Sequence, residues 1–487
     1  MRLLLISLLA WLLLGYAEAG EPGAPPATVM AALKAAGIPP GAVGIVVREV
    51  DAPRARLIVN AHPPLNPASL MKLVTTSAAL ELLGPAFTFR TEALATAPLE
   101  NGVLDGDLFL RGEGDPKLTH ERLWLLLREL RGRGLREIRG DLVLDRTAFA
   151  PVNHDPAAFD GKPQRPYNVG PDALLFNFAA ITLTLMPENA AVRVLAEPLP
   201  VDLKIVNRLR SVDARPCPGE WREALTARFA PGELVLSGDY PKSCGEKRWH
   251  LAGLPNGELL AGVFARLWRE LGGEFSGRWR EGATPANATL LAATESPPLG
   301  ELVRDINKFS NNVMARQLYL KLGGEAANSG GGPATGGGVA PVSGAETARA
   351  EQTIRAWLAL KGLDFPELVL DNGAGLSREA RISADSLAHL LAAVWKSPIM
   401  PELIASLPIV AVDGTTKKRY NGVAYAGQAH LKTGSLEGVR GIAGYLLDKS
   451  GRRWIVVFIV NHPNAGAAQP AFDALLDWVW RSSPPSG

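Results

Sequence analysis

The apolar pattern of this chain changes character twice along its length, and that limits the folds open to it. Near the N-terminal end, 42–50 reads as a strand and 56–60 as its hairpin partner across Asp51-Ala52-Pro53. Pro63, Pro64 and Pro67 break the chain, and the apolar residues of 69–83 then fit a buried helix stopped by Gly84-Pro85. From about 90 to 294 short strand-like pieces, such as 106–111, 191–195 and 233–237, alternate with Gly, Pro and Asn turns. One good helix, at about 119–131, interrupts them. After Pro297-Pro298 helical spacing returns over 299–322, with a break near Lys308-Phe309-Ser310. A flexible Gly-rich loop is expected at 323–344 and a helix at 345–360. Three strand candidates, 429–433, 441–447 and 454–460, precede a closing helix at 469–481. Helix and sheet texture at both ends of a β-rich middle predicts one α/β domain built from both termini, with one or two β-rich domains inserted. The expected boundaries are 20–89 with 295–487, then 90–190 with 272–294, then 191–271.

At 487 residues the chain has room for two to four domains, and 47% apolar residues exclude full-length disorder. Its 51 basic and 49 acidic residues leave a net charge of +2, so no basic field marks a nucleic-acid binder. Met1-Arg2, an apolar run over 3–14 and Ala17-Glu18-Ala19 describe a secretory signal peptide cleaved near Ala19. The run is too short to span a bilayer, which takes about 20 residues. Export would place Cys217 and Cys244 in an oxidising space, where a bridge is expected rather than two free thiols. The seven His residues are scattered with no His-x-x-x-His pair, so no metal site and no cofactor is expected. Trp478 and Trp480 fit a helix packed on its own sheet, leaving at most peripheral membrane contact.

Three short patterns hold the residues best able to carry chemistry. Ser69-Leu70-Met71-Lys72 sets a hydroxyl and an amine at i and i+3, on one helix face. Such a pair can serve as nucleophile and general base without histidine. At the expected helix N-terminus, free N–H groups would stabilise a developing oxyanion. Lys72 must be neutral to take a proton, which burial beside another cation favours. Ser-x-x-Lys alone is expected about once by chance in a chain this long. Ser310-Asn311-Asn312 falls at the break between helical stretches, where Ser-Asn also serves as an ordinary cap or turn. Lys432-Thr433-Gly434-Ser435 lies on the first C-terminal strand. A glycine there lets a substrate backbone approach, and a strand edge can pair with an extended peptide. The plain alternative is a Lys and a Thr facing solvent.

Each pattern occurs once, in the order Ser-x-x-Lys, Ser-x-Asn, Lys-Thr-Gly, on the element type the chemistry needs. The conjunction resembles the signature of the penicillin-binding proteins and serine β-lactamases, whose transpeptidase-like domain holds an antiparallel sheet between helix layers. Lys72 and Ser310 are 238 positions apart. An insertion of this size resembles the low-molecular-mass class C penicillin-binding proteins, the D-alanyl-D-alanine carboxypeptidase/endopeptidase family. Leu110-Arg111-Gly112-Glu113-Gly114-Asp115-Pro116, Pro166-Tyr167-Asn168-Val169-Gly170, Asp371-Asn372-Gly373-Ala374-Gly375-Leu376-Ser377-Arg378 and Val412-Asp413-Gly414-Thr415 look like that family too. The Gly-rich loop departs from it, as does Ala374, where the family often has Ser.

The resemblance implies a serine DD-peptidase acting on peptidoglycan stem peptides in the periplasm, and trapped by β-lactams at the same serine. Ser69 would be the nucleophile and Lys72 the base. Ser310 and Lys432 would handle the proton going to the leaving amine, and Asn312 would hold the substrate amide and Lys72. The N–H groups of Ser69 and Ser435 would form the oxyanion hole. Thr433, Gly434 and Ser435 would bind substrate, the two hydroxyls holding its terminal carboxylate. Arg378 would meet the carboxylate of a diaminopimelate side chain, or else be a surface residue in a turn. A β-lactamase-like hydrolase is the nearest rival, but no Glu is followed by Asn four positions on, the pair that activates deacylating water in one such class. A non-catalytic cell-wall-binding protein on the same fold is the other.

Overall fold

A computed structural model describes residues 23–150, 154–213, 216–328, 345–420 and 422–481. The expected signal peptide and most of the Gly-rich loop lie outside the described residues. Two compact units emerge. One combines the residues up to Ala78 with Asn307–Ser310 and the residues from Arg355 onward. The other comprises Ala79–Ile306 and Asn311–Ile354.

The first unit is organised by an antiparallel sheet. Its five strands run in the order Ala429–Leu436, Val439–Leu447, Arg453–Asn461, Val43–Glu49, Leu57–Val59. All five match expected strands, each within a few residues. The inner strands are apolar at nearly every position because both faces are covered. Val43, Ile45 and Val47 join Val456, Phe458 and Val460 in a core with the helices Ala27–Ala35 and Gln469–Trp480. On the opposite face Tyr445 reaches the helix Ala384–Trp395, its hydroxyl donating to the Leu391 carbonyl at 2.8 Å. Ser383 caps that helix by accepting the Ser386 N–H at 2.9 Å. The result is a sheet between helix layers. The closing helix buries Phe472, Leu475, Leu476 and Val479, and the Arg56 guanidinium lies 4.3 Å from the Trp478 ring. Among the described residues no helix is long and apolar enough to cross a membrane.

Among the described residues, the second unit carries four small sheets, two of three strands, one of four and one of five. Its core is continuous from Ala93 to Ala292. The expected helix near 119–131 is His120–Gly132. The expectation of a single helix in this stretch is corrected: Asn256–Glu270 is a second, burying Leu259, Leu260, Val263, Phe264, Leu267 and Trp268 on one side. Gly257 and Gly262 read as turn signals in sequence. Gly262 instead gives close packing, since a Cβ there would lie 2.6 Å from Pro200. The helix Asn312–Asn328 also runs through Gly323-Gly324, so the loop begins later than 323.

Cys217 and Cys244 are bonded, 27 positions apart, and Cys244 is buried in the second unit's core. Closing that loop restricts the unfolded chain by about 3–4 kcal/mol in the chain-entropy model. Replacing both by Ser is expected to lower stability by about 2–4 kcal/mol in a urea titration. Reductant should reproduce most of that shift in the wild type and add none to the double variant.

Candidate active site

Ser69 lies in a short 3-10 turn, Ala68–Met71, and the α-helix proper starts at Lys72. Ser69 thus stands at the N-terminal end of the helical segment, as expected, but in a 3-10 turn rather than an α-helical one. The three-residue spacing still works, because a 3-10 turn brings i and i+3 into line. Lys72 Nζ donates to Ser69 Oγ at 3.0 Å and to the Ala374 carbonyl at 2.5 Å. The Lys72 side chain has no solvent exposure.

A set of backbone constraints fixes the turn. Ala68 has φ +47°, and its N–H donates to Asn66 Oδ1 at 2.9 Å. Asn66 in turn pairs with Asn461 at the end of the central strand. Its N–H donates to Asn461 Oδ1 at 2.7 Å, and Asn461 Nδ2 donates back to its carbonyl at 3.0 Å. Its own Nδ2 donates to the Ser377 carbonyl at 2.9 Å. Two glycines make room. A Cβ on Gly434 would sit 2.6 Å from the Pro67 carbonyl oxygen, and one on Gly375 would overlap the Ala68 carbonyl. Gly434 thus serves close packing of the motif strand on the turn that carries Ser69.

The second and third patterns meet at a second Ser–Lys pair. Ser310, with φ +56°, occupies the break between the helices Leu299–Phe309 and Asn312–Asn328. Lys432 Nζ donates to Ser310 Oγ at 2.9 Å and to the Thr433 carbonyl at 2.8 Å. Lys432 is also fully buried. Desolvation, helped by the positive charge of Arg419, pulls its pKa down to about 7. Asn307 ties the Ser310 segment to the helix that begins at Lys72, donating to Thr76 Oγ1 at 3.3 Å and to Ser406 Oγ at 2.9 Å.

Strand Ala429–Leu436 lies at the edge of the sheet. Residues 408–410 cover its outer side at first: Val410 N–H donates to the Ala429 carbonyl and Leu431 N–H to the Pro408 carbonyl. The same alternation turns the backbone of Thr433 and Ser435 toward that outer edge. Ser435 is exposed, and the Thr433 hydroxyl lies 2.8 Å from that of Thr415. Arg378 reaches the hairpin after this strand. It donates to the Glu437 carbonyl at 3.2 Å and lies 3.7 Å from its carboxylate, with about half its side chain exposed. Asn312 opens the helix Asn312–Asn328 in the second unit, where its Nδ2 lies 3.5 Å from the Tyr167 carbonyl. Ser69, Lys72, Ser310, Lys432, Thr433, Gly434, Ser435 and Arg378 all belong to the first unit. Sequence reasoning singled out neither Asn66 nor Thr415 as a site residue. Among the described residues no group of three or more His, Cys, Asp or Glu could hold a metal.

Comparison with known proteins gives the family. The D-Ala-D-Ala carboxypeptidase 3 (S13) family matches residues 27–480. The chain belongs to that family. This S13 chain is 31% identical over 427 residues to a D-alanyl-D-alanine carboxypeptidase of an Actinomadura species, covering 83% of this chain and 74% of the relative. It is 25% identical over 442 residues to the carboxypeptidase DacB of Haemophilus influenzae, covering 87% and 86%. The crystal structure of penicillin binding protein 4 from H. influenzae shares the fold, with TM-score 0.75, 24% identity and coverage of 93% and 99%. So does a predatory peptidoglycan endopeptidase from Bdellovibrio bacteriovorus, at TM-score 0.52, 15% identity and coverage of 90% and 91%. As an S13 member, the protein is a serine-type D-Ala-D-Ala carboxypeptidase.

The packing of the turn is testable apart from activity. Gly434→Ala is expected to destabilise by about 1–3 kcal/mol through overpacking against Pro67. Gly466→Ala, where a Cβ meets nothing within 4 Å, should be near neutral. Thermal unfolding of the two variants makes the comparison.

Proposed function

We propose that Ser69 is the acylated nucleophile of this DD-peptidase and Lys72 its general base. The observation that carries the reading is the 3.0 Å Lys72 Nζ–Ser69 Oγ hydrogen bond, in the same unit as the 2.9 Å Lys432 Nζ–Ser310 Oγ bond. Lys72 takes the Ser69 proton as Oγ attacks the carbonyl between two D-amino acids. The oxyanion is met by the N–H groups of Ser69 and Ser435. Ser310 and Lys432 deliver a proton to the leaving amine, and Asn312 holds the substrate amide, as its motif position implies. The substrate's terminal residue lies along the open edge beyond Leu431, its carboxylate on the Thr433 and Ser435 hydroxyls. Water then releases the acyl group.

The substrates are peptidoglycan stem peptides, cut at the D-Ala-D-Ala bond or at D-Ala-diaminopimelate cross-links, with Arg378 meeting the diaminopimelate carboxylate. β-Lactams acylate Ser69 and leave slowly. Export to the periplasm is supported by the leader-like pattern of 1–19 and by the Cys217–Cys244 bond. We also infer a three-part layout, with catalytic 20–89 and 295–487, a second part at 90–190 and 272–294, and a third at 191–271. In its support, strands Trp279–Glu281 and Thr289–Glu295 return to the sheet of Arg90–Ala95, Leu108–Gly112 and Leu142–Asp145.

Incubation with a stem pentapeptide and a cross-linked muropeptide, followed by mass analysis, tests the reaction. Release of D-Ala or of separated stems is expected, and Ser69→Ala should lower it by about 10⁴-fold or more. Benzylpenicillin should label native protein stoichiometrically at Ser69. Full activity in Ser69→Ala, or rapid penicillin turnover, would contradict the reading.

The buried Lys432 also fixes a pH dependence. The proton it shares with Ser310 is present below about 7 and lost above it. The value of kcat/KM, which reports the free enzyme, is therefore expected to fall as pH rises through about 7. Arg419→Gln removes a charge that holds the Lys432 pKa down, so it should move this fall to higher pH.

A further inference from the structure

We infer that Thr415 is a positioning residue for recognition of the substrate's terminal carboxylate: it holds the Thr433 hydroxyl so that its proton points to the incoming anion. The inference rests on the proposed roles of Ser69 and Thr433. Its own observation is the 2.8 Å contact between Thr415 Oγ1 and Thr433 Oγ1.

A hydroxyl gives one proton and accepts others. Thr433 can donate to a carboxylate only if its proton is not committed elsewhere. When Thr415 donates into the Thr433 oxygen, the Thr433 proton is left for the substrate. The two hydroxyls then form a short chain in which each bond polarises the next. A carboxylate at the end of the chain favours this direction over the reverse, because both hydroxyls can then align toward the negative charge.

Thr415 is built in place. Residues 408–410 lie along the motif strand as far as Leu431, and the chain then turns, with Ala411 at φ +62°. It enters a one-turn 3-10 helix, Gly414–Thr416. Asp413 braces this turn by accepting the Ile409 N–H at 2.8 Å. Thr416 Oγ1 donates to the Ile409 carbonyl at 2.9 Å. Gly414, at φ +55°, packs where a Cβ would stand 2.7 Å from the Lys308 carbonyl. Lys308, whose side chain is only 3% exposed, donates to both oxygens of Asp413 at 2.9 and 2.7 Å. Lys308 precedes Ser310 by two residues. One charge-assisted clamp therefore holds the Ser310 segment and the Thr415 turn together, and Thr415 meets Thr433 from that clamp.

The test compares benzylpenicillin with its methyl ester, which lacks the carboxylate, on the intact protein. The second-order rate of Ser69 labelling is measured by mass for the wild type, Thr415→Val and Thr415→Ser. The wild type should label faster with the acid than with the ester. Thr415→Val should shrink that acid-to-ester ratio by about tenfold, the value of one lost hydrogen bond to a charged group. The ester rate should stay within about twofold, and Thr415→Ser should restore the ratio. A role confined to structure lowers both rates together, so an unchanged ratio in Thr415→Val overturns the inference. Should thermal unfolding show that Val disrupts the turn, Thr415→Ala removes the hydroxyl with less bulk and is judged by the same ratio. A wild type that neither compound labels overturns the proposed nucleophile and this inference with it. A labelled wild type with a ratio indifferent to Thr415 overturns this inference alone.

Discussion

Strand Val43–Glu49 hydrogen-bonds to Arg453–Asn461 along its whole length, with Val43 opposite Val460 and Glu49 opposite Trp454. That register leaves Asn461 at the strand's end, where it exchanges hydrogen bonds with the backbone of Asn66, 395 positions away in the chain. Asn66 then sets the Ala68 turn, and the turn sets Ser69. The sheet's other strands follow from the same pairing, so the Lys-Thr-Gly strand arrives beside the turn with Gly434 against Pro67. A slip of one residue would reverse the faces of an inner strand and carry Asn461 away from Asn66.

The site is electrostatically demanding. Two lysines, Lys72 and Lys432, are fully buried within one unit, each on a serine hydroxyl and a backbone carbonyl. Burial penalises the charged form of an amine, and for Lys432 that penalty dominates over the contribution of Arg419. A third buried lysine, Lys308, is treated differently, since it faces both carboxylate oxygens of Asp413. One amine is an anchor with a paired charge, and the other two contact hydroxyls.

What could be read in the chain beforehand depended on how local the cause was. The pairing of Ser69 with Lys72, and the Ser310 break, were legible because their causes are local: a three-residue spacing and an interruption of helical periodicity. The sheet strands were legible because continuous apolar runs near both ends fit few other structures. The helix Asn256–Glu270 was not, because Gly257 and Gly262 look like turns until Pro200 is seen packed on Gly262. The 3-10 start at Ala68 was hidden for a similar reason: it follows from contacts with Asn461, Gly375 and Gly434. Thr415 and Asp413 lay in a segment whose family likeness was visible, yet their partners, Thr433 and Lys308, are brought close only by the tertiary fold.

The sheet that carries the Lys-Thr-Gly edge has one consequence for how the molecule comes into being. The strand Val43–Glu49 waits for partners synthesised long after it, while the second unit closes mostly among its own neighbours. Contacts so distant in sequence form slowly, and chains generally fold unit by unit as they emerge. The intervening segment is therefore expected to become compact first and draw the chain's two ends toward each other. Until those strands dock, the turn that carries Ser69 and the strand that carries Lys432 have no common framework, so a chain interrupted before them holds the two Ser–Lys pairs unassembled.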